Sequence, residues 1–150
     1  MHSEIHPEKE IFSLCDKVRE ISYAIHVYLG HGYLEKIYEN ALVHRLRKAG
    51  LSVEQQVSIG VSDEDGTHLG DHVVDILVEK SIIIELKSVK SISSEHVAQL
   101  IGYLKAMRIE HGLLINFGSY KFEMRKLAFS PSSNVPPYQS LSSLCSFAAK

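Results

Sequence analysis

His68-Leu-Gly-Asp-His-Val-Val-Asp75-Ile-Leu-Val78, then Glu79-Lys80, then Ser81-Ile-Ile-Ile-Glu85-Leu-Lys87-Ser88 follow one another along the chain. The two outer runs are rich in β-branched residues and the dipeptide between them is polar, which predicts an antiparallel strand pair closed by a tight turn. Ile82-Ile83-Ile84 are apolar at consecutive positions, hence on both faces, as in a central strand covered on both sides. Pairing through the Glu79-Lys80 turn sets opposite each other residues whose numbers sum to 159 or 160. Asp75 then lies across from Ile84 or Glu85.

Upstream, Ile11, Leu14, Val18, Ile21, Ile25 and Tyr28 recur at helical spacing and predict a first helix ending at Leu29. Gly30-His31-Gly32 stops it. Leu34, Ile37, Tyr38, Ala41, Leu42 and Leu46 form the stripe of a second helix, with Arg45, Arg47 and Lys48 near its C-terminal end and Gly50 closing it. Val53 to Val61 reads as a strand that reaches His68 through the Asp63–Gly66 turn. Downstream, Ser93 and Ser94 are caps for a third helix whose apolar face is Val97, Leu100, Ile101 and Leu104. Gly112 to Phe117 and Phe122 to Phe129 read as two further strands. The order α, α, β, β, β, α, β, β implies an α/β fold with a mixed central sheet flanked by helices, the third helix crossing between parallel neighbours.

The whole chain has 150 residues, 45% of them hydrophobic and 23% charged, which fits one globular domain. That domain is expected over residues 1–129, with a loosely attached Ser/Pro-rich tail from 130 to 150. Cys15 and Cys145 have no CxxC spacing, so no disulfide framework is expected. Aliphatic runs such as Ile82–Ile84 are far shorter than the roughly 20 residues of a membrane span, and neither a signal peptide nor a membrane partner is expected. A cytoplasmic location follows as the expectation. A net charge of −2 excludes a protein that coats nucleic acid by bulk electrostatics. It leaves open a local groove, for which Lys105, Arg108, Lys121, Arg125 and Lys126 are the available cations.

Glu85 and Lys87 share one face of their strand with Cα atoms about 6.6 Å apart. Charges on an otherwise apolar strand are costly unless they pair or bind something. With Asp75 opposite, two carboxylates meet, and a hard divalent ion such as Mg2+ would relieve their repulsion, held by Asp75, Glu85 and the carbonyl of Leu86. Lys87 beside that ion could position water and stabilise charge on a phosphate, as metal-assisted phosphodiester hydrolysis requires. The simpler reading is a strand-end ion pair of Lys87 with Glu85 or Asp75. His96, Gln99 and Tyr103 project from one face of the third helix, where His96 is a candidate phosphate or water contact. Gly32, Glu35 and Tyr38 form G-x-x-E-x-x-Y, with Glu35 and Tyr38 on the inward stripe. The simpler reading there is a helix-terminal acid and a core ring. His68 and His72 flank Gly70 in a strand, where this spacing does not converge on zinc. Gly30-His31-Gly32 follows a helix and lacks the third glycine of a dinucleotide fingerprint.

Taken in order, Gly32-x-x-Glu35-x-x-Tyr38, Gly70-x4-Asp75, Glu85-Leu86-Lys87, Gln99-x3-Tyr103 and Gly112-Leu-Leu-Ile-Asn-Phe-Gly118 resemble the GxxExxY proteins over roughly Ile11 to Phe129. That family is placed in the PD-(D/E)XK nuclease superfamily, whose RecB-like members share the QxxxY element. The resemblance implies a restriction-endonuclease-like fold and a nuclease site using Mg2+, with Mn2+ as a substitute; the expected substrate is DNA, with RNA as the alternative. It implies Asp75 and Glu85 as metal ligands, Lys87 as the catalytic lysine, Glu35 as a supporting acid, and Gln99 and Tyr103 as supporting residues. Val74 stands where the superfamily name has proline. The competing expectation is an inactive nucleic-acid-binding or assembly module that keeps the fold. A symmetric homodimer is one assembly open to either, since cutting both strands of a duplex takes two sites.

Overall fold

The computed structural model describes residues 7–130 and the strand at 145–147. Its elements run α1 (Pro7–Leu29), α2 (Glu35–Lys48), β1 (Val53–Ser62), β2 (His68–Val78), β3 (Ile82–Lys87), α3 (Ser94–Met107), β4 (His111–Asn116), β5 (Glu123–Ala128) and β6 (Cys145–Phe147). One six-stranded sheet carries them in the order β1-β2-β3-β4-β5-β6. Every neighbouring pair is antiparallel except β3 and β4, which are parallel and joined through α3. This is the mixed α/β arrangement implied by the order of elements.

The register of β2 on β3 is Ile76↔Ile84 and Val78↔Ile82, a sum of 160. Ile82, Ile83 and Ile84 are fully buried because helices cover both faces of the strand. Ile82, Ile84 and Leu86 pack with Val18 and Ile25 of α1 and with Tyr38, Leu42 and Leu46 of α2. Ile83 packs on the other face with Leu100 and Leu104 of α3. Alternation along the strand therefore turns Glu85 and Lys87 toward the α3 side.

Two helix stripes differ from the periodicity reading. Tyr28 is 79% exposed, and the inward face of α1 instead includes Ser22 and His26, whose Nε2 lies 2.9 Å from the carbonyl of Ser119. In α2, Leu34 and Ile37 are exposed while Glu39 and Val43 are buried. Tyr38 sets this rotation. Its ring stacks on Phe117 at 4.7 Å, nearly parallel, its hydroxyl donates to the Gly30 carbonyl at 2.6 Å, and the Tyr33 N–H donates back to it at 3.2 Å. An aromatic ring held at both ends outweighs the burial of two aliphatic side chains near the helix start. Cys145–Phe147 pair with β5 as an edge strand, so at these three residues the expected loose tail gives way to sheet; 131–144 and 148–150 lie outside the described residues.

Candidate active site

Asp75 and Glu85 stand where β2 and β3 part. The ladder between these strands ends at Ile76↔Ile84, and beyond it side chains replace backbone partners. The Asp75 N–H donates to Glu85 Oε1 at 3.0 Å, and the Leu86 N–H donates to Asp75 Oδ2 at 2.9 Å. Each carboxylate thus caps the opposite strand, and among the described residues neither forms an ion pair.

Lys87 Nζ donates to Gln99 Oε1 at 3.4 Å, and among the described residues it forms no ion pair with Glu85 or Asp75. The simple strand-end salt bridge is therefore absent, and α3 orients the lysine instead. Tyr103, one turn beyond Gln99, is buried with its ring 5.4 Å from that of His72. In His96, Nδ1 accepts from the Ser93 N–H at 3.1 Å while Ser93 Oγ accepts from the His96 N–H. Its Nδ1 thereby caps α3. Lys126 leaves the candidate groove, because it is buried with its ammonium 3.7 Å from the centre of the Phe12 ring.

Burial, then the neighbouring Asp75, raises the Glu85 pKa from its ordinary 4.5 to about 8, against the opposing pull of Lys87. Burial also raises Asp75, with Glu39 adding to the rise and the Leu86 N–H opposing it. Glu35, the first residue of α2, does not lie on the buried stripe. Its carboxyl is nonetheless shifted upward by partial burial and then by Asp75. The Tyr103 hydroxyl is raised by burial, then by Glu85 and Asp75. Glu35 from α2, Asp75 from β2, Glu85 and Lys87 from β3, and Gln99 and Tyr103 from α3 thus share one neighbourhood.

Two residues belong to this cluster without having been singled out by motif. Gln56 lies opposite Asp75 in β1 with φ at 55°, a left-handed conformation that costs a non-glycine residue about 1–2 kcal/mol. Its Nε2 donates to Glu39 Oε1 at 2.6 Å and reaches Asp75 Oδ1 at 3.4 Å. Glu39, 3% exposed, is further held by Lys36 at 2.6 Å and by Gln55. The available signals were slight: Gln55-Gln56 breaks the polar alternation of a strand, and Glu39 lies one turn after Glu35.

Asn116 and Gly118 hold the loop that leaves Lys87. Fully buried Asn116 accepts from the Val89 N–H at 3.1 Å and donates to the Val89 carbonyl at 2.9 Å. A Cβ on Gly118 would sit 2.3 Å from the Val89 nitrogen, so only glycine allows this approach.

The donors suit a hard divalent cation. Glu85 Oε2 accepts no hydrogen bond among the described residues, and two crowded carboxylates with raised pKa are what a dication would relieve. Among the described residues no three His, Cys, Asp or Glu side chains form a metal cage. A cation at Asp75 and Glu85 would therefore complete its shell with backbone, water and substrate oxygens, the usual manner for Mg2+.

A family model for the PD-(D/E)XK nuclease superfamily matches residues 13–127, which include all of these site residues. The chain belongs to the PD-(D/E)XK nuclease superfamily. Nucleases of this superfamily generally use divalent metal ions. The protein SSO0001, known from a crystal structure, is similar in fold, with a TM-score of 0.54 and 20% identity over 71% of this chain and 55% of that one. The fold is restriction-endonuclease-like. This chain spans little more than half the length of that relative. No curated protein matches the chain. No helix among the described residues is long and apolar enough to cross a membrane.

Proposed function

We propose that this PD-(D/E)XK protein is an active divalent-metal-dependent nuclease that hydrolyses phosphodiester bonds of DNA, with RNA as the alternative substrate. The observation that carries the reading is the strand fork: Asp75 and Glu85 meet there, while Lys87 is turned onto Gln99 and left free of both carboxylates.

Asp75, Glu85 and the Leu86 carbonyl would hold Mg2+, or Mn2+ in its place. The ion supplies Lewis acidity toward the phosphate and lowers the pKa of water. Lys87 presents an ammonium to charge developing on the phosphate, and Gln99 fixes its direction. Tyr103, with its proton held more tightly than usual, remains a neutral hydrogen-bond donor beside Glu85. Glu35 is a supporting acid at the α2 side of the site. Glu39 and Gln56 are positioning residues that aim Asp75. The G-x-x-E-x-x-Y pattern fits these roles, with Glu35 toward the site and Tyr38 anchoring the helix that carries it.

Incubating the protein with single- and double-stranded DNA and Mg2+ or Mn2+ tests the reading. Cleavage that disappears in Glu85→Ala is expected. Cleavage equal to that variant's background overturns the nuclease. Calorimetric metal binding that is lost in Asp75→Asn, without cleavage by the parent, would indicate the inactive binding module instead.

A further inference from the structure

A cavity of about 370 Å3 lies between residues His31 to Glu35 on one side and Ser88 to Lys90 on the other, with Gly118 also lining it. It adjoins the strand fork, because Glu35 lines it and Ser88 directly follows Lys87. Its volume falls within the range of small-ligand sites.

The walls are tied together. Ser88 Oγ donates to the Tyr33 carbonyl at 3.0 Å, joining the two sides. Tyr38 holds the first wall through Gly30 and Tyr33, and Asn116 holds the second through both backbone groups of Val89. A ligand therefore meets a preformed cavity and need not order it.

The lining combines the Tyr33 and His31 rings with an unused cation. Tyr33 in the lining is 51% exposed, and Tyr120, 84% exposed and outside the lining, stands edge-on at 6.1 Å to His31, which lines it. Lys90 is exposed and has no hydrogen-bond or ion-pair partner among the described residues. Exposed aromatic faces beside a free ammonium are what unpaired nucleotides use, the base stacking on the ring and the phosphate meeting the cation. Lys90 gives a nucleotide's phosphate a counter-charge within the lining. Bases within a duplex offer only their groove edges to a protein, so their faces are not available to these rings.

We propose that this cavity is a subsite for one unpaired nucleotide next to the scissile phosphate, making single-stranded DNA or a single-stranded end the preferred substrate. The proposal rests on the nuclease reading for the identity of the neighbouring centre. It is tested separately from cleavage by fluorescence anisotropy in EDTA, using a short fluorescein-labelled single strand and the blunt duplex of the same sequence. The single strand should bind more tightly than the duplex. Tyr120→Ala should weaken single-strand binding by roughly tenfold, while Tyr120→Phe retains it. Lys90→Ala should weaken binding and reduce the salt slope by roughly 0.7. Parental affinity in both Tyr120→Ala and Lys90→Ala, a preference for the blunt duplex, or no binding of either DNA would overturn the subsite. Tyr120-dependent binding without cleavage in Mg2+ would overturn the nuclease alone. Cleavage unaltered by Tyr120→Ala would overturn the subsite alone.

Discussion

Glu85→Gln should stabilise the metal-free protein at alkaline pH while destroying its metal site. Glu85 is 5% exposed beside Asp75, and its pKa rises from 4.5 to about 8 in the folded protein. A carboxyl raised in this way contributes stability in full below pH 4.5 and loses it as pH climbs through 8, because ionisation is cheaper in the unfolded chain. At about 1.4 kcal/mol per pH unit, the part of the interval from 4.5 to about 8 that lies between pH 5 and pH 8 is worth at most about 4 kcal/mol. The amide replacement keeps an acceptor for the Asp75 N–H and cannot ionise. Urea midpoints in EDTA at pH 5 and pH 8 measure the effect. The parent should lose up to about 4 kcal/mol more than Glu85→Gln between these values, equivalent to a midpoint difference of about 2 M. Mg2+ at pH 8 should restore the parent by mass action and leave the variant unchanged. Parallel pH curves for the two proteins would refute the argument that Glu85 carries an uncompensated charge.

Lys87→Ala should keep the parent's Mg2+ affinity by calorimetry and abolish cleavage; a weakened affinity would place Lys87 among the groups that build the metal site. Gln56→Gly should leave the melting temperature unchanged or raised, since it relieves a left-handed residue, yet lower kcat by about tenfold as Asp75 loses its guide. Tyr38→Phe should cost about 1–2 kcal/mol by stranding the Gly30 carbonyl, and Tyr38→Ala about 3–5 kcal/mol by also removing the ring stacked on Phe117. Equal denaturation midpoints for the two variants would contradict the separate role of the ring, and a Tyr38→Phe midpoint equal to the parent's would contradict that of the hydroxyl. Gly118→Ala should cost on the order of 1–3 kcal/mol in thermal melts, because the added methyl meets the Val89 backbone and no flexible side chain can yield.

Much of the framework was legible in the chain because its signals are local. Ile82–Ile84 announced a doubly covered strand, Glu79-Lys80 a turn, and the resulting pairing brought Asp75 to the level of Glu85. Helix rotation was harder to read. Hydrophobicity placed Leu34 and Ile37 inward, whereas the stack of Tyr38 on Phe117, far along the chain, turned them out and brought Glu39 in. His96 shares a face with Gln99, and its Nδ1 was taken by the Ser93 backbone.

By itself the sequence determined the order of elements through β5, the pairing of β2 with β3 to within one residue and the acidic and basic residues that meet there, all consequences of periodicity and short-range turn geometry. Only the tertiary structure decided how those residues are aimed. The left-handed Gln56 joins β1 to Glu39 and Asp75, and α3 draws Lys87 away from the carboxylates beside it. Asn116 and Gly118 draw the Val89 loop against the end of β4. These contacts join residues distant in sequence, and their energies depend on distance and burial that no local pattern encodes.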